Sequence, residues 1–337
     1  MALSPIAVLG AGSWGTALAI HLARVHQDVR LWTRSQTQAT NLQTTRVNET
    51  YLPSITLPES ITVSASLETV LKNCSDILIV VPSHFFRDIL LLIKPLIATS
   101  QTTPRIVWAT KGLDPQGSLL LSMVAQEVLG DTIPVAVLSG PSFAIELAEG
   151  LPTAIALSSV DIAFRDSLLP RFHHHALRVY TNDDLIGSQL GGAIKNVLAI
   201  AAGISDGLGF GANARAGLIT RGLAEMERLV IAMGGQTKTT MGLSGLGDLV
   251  LTCTDNKSRN RRFGLLIGQG VTIDAALAQI QQVVEGHITT QQLHALALRY
   301  HVDMPISTQV YRVLYEQLSP RKAVEALFAR EAKDELH

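Results

Sequence analysis

Short apolar runs alternate with helix-like stretches over the first half of the chain. The runs of strand length lie at residues 6–9, 29–32, 77–81, 106–109, 135–138, 154–157 and 179–181. Between them lie amphipathic patterns typical of helices, as at residues 16–24. Such alternation predicts an α/β fold with a doubly wound, largely parallel sheet of the Rossmann type.

Strand patterns stop near residue 182, and helical patterns follow to the end of the chain. They lie at residues 190–201, 212–233, 273–282, 289–300 and 323–333. A length of 337 residues is large for a single core, so two domains are expected. We place a dinucleotide-binding domain at 1–187 and an all-helical domain for substrate binding and catalysis at 188–337.

The first strand runs directly into a glycine-rich turn. Residues 6–9 are followed by Gly10, Gly12 and Gly15 in the order G-x-G-x-x-G, and a helical pattern begins at residue 16. In this context the first glycine allows a tight turn, the second lets backbone amides approach a pyrophosphate, and the third lets helix and strand pack. The motif predicts a dinucleotide site, and a glycine turn that serves packing alone is the alternative.

The second strand ends without a carboxylate. In sites for NAD an acidic residue at this position holds the ribose 2′-hydroxyl, whereas an arginine accepts the 2′-phosphate of NADP. Here the strand at 29–32 runs into Thr33 and Arg34. This favours NADPH and leaves NADH open; the alternative is an ordinary loop arginine.

A lysine interrupts the most apolar helical pattern of the chain. The apolar face of that pattern comprises Leu190, Ala193, Ile194, Val197, Leu198 and Ala201. Lys195 has no carboxylate three or four positions away, and Gly191 and Gly192 precede it by one turn. A desolvated lysine loses proton affinity and can exchange a proton near neutral pH. Lys195 is therefore a candidate acid–base residue, although a lysine that reaches solvent along the helix fits the pattern too.

Polar and glycine-rich turns follow three of the predicted strands, at 82–84, 110–112 and 139–142. In doubly wound sheets, ligands bind beyond the carboxyl ends of the strands. Lys111 in the second turn is either a ligand for a phosphate or a solvated loop cation. The third turn leads into a predicted helix N-terminus at residues 143–146, which is a further candidate anion site.

The segment from residue 245 to 262 combines an isolated aspartate with a dense set of cations. Asp248 and Thr252 lie four positions apart and share a helix face. Residues 256–262 follow as NKSRNRR, in which guanidinium and amide groups suit phosphate oxygens. A solvated charged surface is the alternative for such a run.

Composition and charge argue against a nucleic-acid-binding, a membrane-spanning or a disulfide-rich protein. The net charge is −1 and hydrophobic residues make up 47% of the chain, so no overall charge favours nucleic acid or a membrane surface. No apolar run reaches the length of a membrane-spanning helix, and two cysteines cannot form a disulfide framework. We expect a cytoplasmic enzyme without nucleic-acid or membrane partners.

Taken together, these motifs resemble the bacterial NAD(P)-dependent sn-glycerol-3-phosphate dehydrogenase family. The resemblance extends from about residue 6 to residue 306 and rests on GAGSWGTALA, ATKGL, LSGPSFAIELA, LGGAIKNVLAIAAGISDGLGFGANARAGLITRG, GLSGLGDLVLTCTDNKSRNRRFG and VVEG. It implies reversible reduction of dihydroxyacetone phosphate to sn-glycerol 3-phosphate for phospholipid synthesis, with NADPH preferred or NADH. A homodimer is also expected from the resemblance.

The resemblance also implies roles for individual residues. Lys195 would give a proton to the developing alkoxide, with Asp248 and Thr252 orienting it. The substrate would be bound by Lys111, Gly140, Ser142, Lys195, Asn196, Asp248, Thr252, Ser258, Arg259 and Asn260. The cofactor would be bound by Gly10, Gly12, Ser13, Trp14, Gly15, Arg34, Lys111, Ala144, Arg259, Val283 and Glu285. Ser142 replaces the threonine usual in the family and retains a hydroxyl.

Three alternatives follow from parts of the pattern. A dehydrogenase of the 3-hydroxyacid or 6-phosphogluconate type shares the plan of sheet plus helices, but the block from Asp248 to residue 262 argues against it. A regulator that binds NADPH without turnover would be expected to lose Lys195 or its polar companions. Metal binding by the histidines at 173–175 is disfavoured because consecutive side chains cannot converge from one strand or helix. No metal is expected.

Overall fold

The fold is built on a single large sheet. The computed structural model describes residues 4–25, 27–100, 103–174 and 176–331. Its strands are β1 Ile6–Leu9, β2 Val29–Trp32, β3 Val47–Asn48, β4 Leu52–Thr56, β5 Ile61–Ser64, β6 Asp76–Ile79, β7 Arg105–Trp108, β8 Val135–Ser139, β9 Thr153–Ser158 and β10 Leu177–Asn182. Eight of them form one sheet in the order β10-β9-β8-β7-β6-β1-β2-β5, and β3 pairs with β4 separately.

Strand directions decide where the polar turns meet. Along the sheet order β8-β7-β6-β1-β2-β5, every pair of neighbouring strands is parallel. Strand β9 is antiparallel to β8, and β10 is parallel to β9. The carboxyl ends of β1, β6, β7 and β8 therefore lie at one edge. The prediction of a largely parallel, doubly wound sheet is confirmed.

Helices cover both faces of the sheet and then form a separate bundle. They are α1 Ser13–Arg24, α2 Gln36–Thr45, α3 Leu67–Leu71, α4 Phe86–Ala98, α5 Leu121–Leu129, α6 Ala144–Glu149, α7 Ile162–Phe172, α8 Leu185–Gly207, α9 Gly211–Ala232, α10 Thr237–Thr240, α11 Asp248–Thr254, α12 Arg259–Gly268, α13 Ile273–Ile280, α14 Glu285–Arg299, α15 Pro305–Tyr315 and α16 Pro320–Phe328. A π-helical turn at Leu243–Gly247 leads into α11.

The alternation of side chains along β1 explains why both faces are covered. Ile6 and Val8 join one apolar cluster, and Ala7 and Leu9 join another on the opposite face. All four are fully buried, so each face needs its own layer of helices. A third cluster, centred on α8, forms the core of the bundle.

Helix α8 is the spine of the bundle and is packed by α9, α11, α12 and α14. Within the described residues it is the one helix long and apolar enough to pass for a membrane span by length and composition. No such helix was predicted from the sequence, because Lys195 and Asn196 interrupt the apolar run; glycines and alanines around them extend the apolar stretch. A buried core helix passes the same test, and 94% of the apolar window is buried inside the fold.

The close approach of α12 to α8 depends on glycine. A Cβ added to Gly264 would lie 2.1 Å from the Ile200 carbonyl oxygen, so no other residue fits without moving a helix. This contact brings the start of α12 beside the middle of α8. The arginine and amide groups of residues 259–260 therefore lie near Lys195.

Some elements were not predicted. β5 extends the sheet as an edge strand, but its sequence ITVS alternates polar and apolar residues and is short. The β3–β4 hairpin lies partly within the stretch 35–50, for which we expected only a surface helix and loop. The sheet ends at Asn182 and α8 begins at Leu185; the division into domains at residue 187 stays a prediction.

Candidate active site

A cleft of about 1240 Å³ lies between the carboxyl edge of the sheet and the helical bundle. Most predicted site residues line it: Gly10, Gly12, Ser13, Trp14, Arg34, Lys111, Ser142, Ala144, Lys195, Asn196, Asp248, Thr252, Ser258, Arg259, Asn260, Val283 and Glu285. Gly15 and Gly140 lie behind its wall. The fold thus brings together residues from widely separated motifs.

The glycine-rich turn forms one end of the cleft. Gly10 has a φ of +122°, and a Cβ there would lie 2.4 Å from the Val80 carbonyl oxygen. A Cβ on Gly15 would lie 1.9 Å from the carbonyl oxygen of Gly10, so Gly15 serves the packing of α1. Gly12 has no neighbour within 4 Å of such a position. The open space at the N-terminus of α1 fits the pyrophosphate of a dinucleotide.

The end of β2 carries no acid to hold a ribose hydroxyl pair. Thr33, Arg34 and Ser35 line the cleft there, and the exposed Arg34 guanidinium lies 5.2 Å from the centre of the Phe85 ring. Ser35 caps α2 by accepting a hydrogen bond from the Gln38 amide. This cationic and hydroxyl-bearing corner suits a phosphate better than a neutral ribose.

Lys195 is buried in the middle of α8, with only 8% of the residue exposed. Its Nζ donates to Asp248 Oδ1 at 2.6 Å and to Thr252 Oγ1 at 2.9 Å. Thr252 donates its own proton to the Asp248 carbonyl oxygen, one turn earlier on α11. The alternative in which this lysine reaches solvent is therefore wrong.

Glycine allows α8 and the π-helical turn to meet at this point. A Cβ on Gly191 would lie 2.3 Å from the Ser244 carbonyl oxygen. The glycine one turn before Lys195 thus accommodates a second backbone, as its position suggested. Because the π-helical turn leads directly into α11, this contact fixes Asp248 against the lysine.

The surroundings of Lys195 set its proton affinity. Burial lowers the pKa of the ammonium to about 8, while the Asp248 carboxylate raises it and the Lys111 ammonium lowers it. Burial disfavours the charged form of a lysine, and a nearby opposite charge partly restores it. A lysine with such a pKa can hold or release a proton under neutral conditions.

A second lysine shares the same carboxylate. Lys111, at the carboxyl edge beyond β7, donates to Asp248 Oδ2 at 2.7 Å and to the Gly140 carbonyl oxygen at 2.8 Å. Ser142 Oγ donates to the same carbonyl at 3.0 Å. Gly140 therefore contributes its carbonyl from behind the wall and orders the two side chains that line the cleft.

A chain of amide hydrogen bonds lies beside the lysine. Asn196 donates to the Gly192 carbonyl oxygen at 3.3 Å and accepts from Asn260 Nδ2 at 2.9 Å. The side-chain oxygen Oδ1 of Asn260 in turn accepts from the Gly286 backbone amide at 2.9 Å. These bonds join α8, α12 and α14 and fix the orientation of both side-chain amides.

The start of α12 supplies the cationic side of the cleft. Ser258 caps the helix by accepting from the Arg261 amide, and its hydroxyl proton remains available to a ligand. Arg259 is half-buried, and burial lowers the pKa of its guanidinium while Glu285 raises it. Within the described chain Arg259 has no ion pair within 4 Å, which suits a group that binds an anion.

Sequence reasoning missed the partner of Glu285. The Ser83 amide donates to its Oε1 at 3.2 Å, and Ser83 Oγ donates to its Oε2 at 2.7 Å. Burial raises the pKa of this carboxyl, and the two bonds from Ser83 oppose that shift. The strand-end position of Ser83 was the available signal, but nothing in the sequence paired it with a residue of the bundle.

Neither cysteine lines the cleft, and neither do His173 and His174. Cys74 and Cys253 are buried free thiols, and burial raises the pKa of Cys74 to about 11 and of Cys253 to about 12. Of the three consecutive histidines, His175 lies outside the described residues. Within those residues, no three His, Cys, Asp or Glu side chains are grouped to hold a metal ion.

The arrangement defines a specific chemistry. One end of the cleft has the glycine-rich turn that fits a dinucleotide, and its centre places a lysine of lowered pKa beside a carboxylate and a second lysine. Arginine and hydroxyl groups from α12 flank the centre on the bundle side. A carbonyl compound that carries a phosphate could be held there for hydride and proton transfer.

Two family models match the chain. The model for the NAD-dependent glycerol-3-phosphate dehydrogenase N-terminus covers residues 5–165, and the model for the C-terminus of the same family covers residues 184–325. Together they take in both the glycine-rich turn and every residue of the bundle side named above.

Individual proteins agree with the models. The glycerol-3-phosphate dehydrogenase [NAD(P)+] of Sodalis glossinidius is 56% identical over 97% of this chain and 96% of its own length. That of Tolumonas auensis is 53% identical over 98% of both chains. The crystal structure of glycerol-3-phosphate dehydrogenase from Coxiella burnetii matches with a TM-score of 0.93 and 51% identity, over 97% of this chain and 99% of that one.

These matches decide between the alternatives that the sequence left open. A dehydrogenase of the 3-hydroxyacid type and a catalytically silent nucleotide sensor both lose their support, because relatives over the full length are glycerol-3-phosphate dehydrogenases. The chain belongs to the NAD-dependent glycerol-3-phosphate dehydrogenase family.

Proposed function

We propose that this chain catalyses the reversible NAD(P)H-dependent reduction of dihydroxyacetone phosphate to sn-glycerol 3-phosphate, a precursor of phospholipids. The observation that carries the proposal is the buried Lys195, bonded to Asp248 and Thr252 in the same cleft as the dinucleotide cradle. The activity is the one named for relatives more than half identical over the full length.

The side chains at the centre of the cleft would manage the proton. The bound nicotinamide supplies or accepts the hydride. Lys195, charged before reduction, would donate its proton to the carbonyl oxygen at C2 as negative charge develops there. The Asp248 carboxylate favours the charged form of Lys195 and orients it, and Lys111, bound to the other oxygen of that carboxylate, would add a second positive charge near the substrate carbonyl.

The phosphate of the substrate would lie against the start of α12. Ser258, Arg259 and Asn260 line the cleft there, and the helix N-terminus adds its backbone amides. Lys111 and Ser142 would line the opposite wall, and both donate to the Gly140 carbonyl oxygen behind it. The reacting carbon would then lie between a cationic phosphate site and the proton donor.

The cofactor would occupy the rest of the cleft. Its pyrophosphate fits the open space over Gly12, next to Ser13 and Trp14, and Arg34 would bind a 2′-phosphate, which favours NADPH over NADH. Toward the nicotinamide, the remaining contacts would come from Ala144, Val283, Glu285 and the side chains of Lys111 and Arg259.

The direct test is turnover by the purified protein. Oxidation of NADPH, and separately of NADH, is followed with dihydroxyacetone phosphate as substrate and with unphosphorylated dihydroxyacetone as control. Fast oxidation that requires the phosphate supports the proposal and ranks the two cofactors. If nucleotide binds but neither cofactor is oxidised, the proposal is wrong.

Replacing Arg259 by alanine should raise the KM for dihydroxyacetone phosphate far more than it changes the affinity for NADPH. Hydrogen bonds to charged groups contribute about 1.5–3 kcal/mol, which corresponds to about a ten- to hundredfold rise in KM. Initial rates across substrate concentration measure this. Unphosphorylated dihydroxyacetone is the control, since its KM should change little, and Arg259→Lys should recover part of the loss. An unchanged KM would remove Arg259 from the phosphate site.

We also propose that the protein is a cytoplasmic homodimer. Phe210 and Ile231, at the two ends of α9, are exposed apolar residues, and residues 211–213 and 216–217 of this helix are exposed as well. Such a surface suits a second copy of the chain. The two buried free thiols suit a reducing compartment. Sedimentation velocity at several protein concentrations tests the dimer, and a monomer at all of them would contradict it.

A further inference from the structure

An ion pair crosses the cleft outside the catalytic group. Lys257 Nζ lies 2.5 Å from Glu146 Oε1, and the same ammonium lies 5.4 Å from the centre of the Phe143 ring. Both Lys257 and Phe143 line the cleft. The lysine thus contacts a carboxylate and an aromatic ring that both precede residue 184, in the part of the chain that forms the sheet and its helices, called the sheet side below.

The two partners belong to the two segments that would hold the substrate. Glu146 lies in the first turn of α6, just after the turn that carries Gly140 and Ser142. Lys257 directly precedes Ser258, the residue that caps α12. The ion pair therefore links the substrate turn of the sheet to the phosphate-binding start of α12.

The backbone around Lys257 transmits this link. The Lys257 amide donates to Asp255 Oδ1 at 2.7 Å, and the Ser258 amide donates to the Asp255 carbonyl oxygen at 3.2 Å. The segment is a closed turn, so fixing the Lys257 side chain also restrains the backbone of Ser258 and Arg259.

Other contacts hold this segment only to the bundle. Arg261 is ion-paired with Asp206 of α8 and donates to the Cys253 carbonyl oxygen at 3.1 Å. Among the described residues, the Lys257–Glu146 pair is the one ion pair that joins residues 255–262 to the sheet side, before residue 184. Its loss would leave that segment without an ion pair across the cleft.

We infer that Lys257 and Glu146 form a clasp that positions the phosphate-binding segment for the substrate. This inference rests on the proposed function of the cleft. Both are positioning residues, since they act through Ser258 and Arg259. The side chains are 48% and 30% exposed, so the clasp is accessible to solvent, weakened by salt and able to open for substrate exchange.

Direct binding of the substrate phosphate by Lys257 would change the KM of Glu146→Gln in the direction opposite to that expected for a clasp. If the Lys257 ammonium bound the substrate phosphate directly, removing the Glu146 charge would free it and lower the KM. In a clasp, removing either charge releases the segment and raises the KM. Glu146→Gln therefore separates the two roles by the sign of its effect.

The experiment is a double-mutant cycle of Lys257→Met and Glu146→Gln on the full-length protein. Each single variant should raise the KM for dihydroxyacetone phosphate about two- to fivefold with kcat changed less than about twofold, the scale of exposed ion pairs. The double variant should be no worse than either single one, because the interaction is lost only once. Added salt should raise the KM of the wild type toward that of the variants.

The matched control is Asp303→Asn, which removes the exposed Asp303–Arg330 pair far from the cleft and should leave the KM unchanged. A lowered KM in Glu146→Gln, or additive effects in the double variant, would overturn the clasp.

Hydrogen–deuterium exchange of the amides at residues 255–262 gives a readout that needs no turnover. Exchange should be faster in both single variants than in the wild type, and unchanged exchange would also overturn the clasp. If the wild type binds NADPH but does not reduce dihydroxyacetone phosphate, the proposed function is wrong. Failure of the proposed function is thus distinguished from failure of the clasp, which the exchange rates report without turnover.

Discussion

Replacing Lys195 by methionine is expected to lower kcat by about 10²–10⁴-fold in both directions, the range for loss of a general acid–base residue. Methionine keeps the length of the stem within α8 but has no proton to give. The Asp248 carboxylate would keep its bond to Lys111 Nζ at 2.7 Å, so it is not left alone in the cleft. The affinity for NADPH should change little, because the cradle over Gly12 is at the other end of the cleft.

Steady-state rates, NADPH titration and a thermal melt of the same preparation measure these effects. Lys238→Met is the matched control, since Lys238 is 72% exposed and lies outside the cleft. A Lys195→Met variant that retains kcat within about tenfold of the wild type would rule out the proton-donor role, since general acids contribute more than that. A loss of NADPH binding or of the folded state would show a structural role instead.

Local patterns were sufficient for seven of the eight strands of the sheet and for the helix that carries Lys195, whereas the edge strand β5 was missed. Strands such as β1 and β2 are short apolar runs, and the glycine-rich turn needs only adjacent residues to be recognised. The placement of Lys195 on a buried helix face follows from periodicity within α8. Because α8 is buried on nearly all sides, few of its side chains can be replaced by polar or larger ones.

Contacts between distant residues were beyond prediction from pattern. Ser83 and Glu285 are 202 positions apart, and Lys111 and Asp248 are 137 apart. Each pair depends on how the bundle docks against the carboxyl edge of the sheet. No local periodicity encodes that docking, so the resemblance supplied the roles of Lys111 and Glu285 and the structure supplied their partners.

The sharing of Asp248 explains how two lysines can lie side by side in a buried site. Each carboxylate oxygen of Asp248 accepts from one ammonium, at 2.6 Å from Lys195 and 2.7 Å from Lys111. One negative charge between two positive ones leaves the group with a net positive charge. This net positive charge favours binding of an anionic substrate. Repulsion from the Lys111 ammonium also makes Lys195 release its proton more readily.

Asp248→Asn should therefore move the pH dependence as well as the rate. In the wild type, kcat/KM for reduction should fall as pH rises through about 8, because Lys195 must be protonated to donate. For oxidation of glycerol 3-phosphate, kcat/KM should rise with pH up to the same point, because Lys195 must then be neutral. Asparagine keeps the shape of Asp248 but removes the charge that raises the pKa of Lys195.

The break in both pH profiles should move to lower pH by about one to three units, the range for loss of an opposite charge in contact. At pH 7 the rate of reduction should then fall by about twofold for a displacement of one unit and by about a hundredfold for three units, since the protonated fraction of Lys195 drops from about 90% to about 50% or about 1%. Profiles of kcat/KM across the neutral and alkaline range, in both directions, measure the displacement. Asp303→Asn, an exposed substitution, should leave the break in place. A break that stays near its wild-type position in Asp248→Asn would mean that burial alone sets the proton affinity of Lys195, and that Asp248 only orients the side chain.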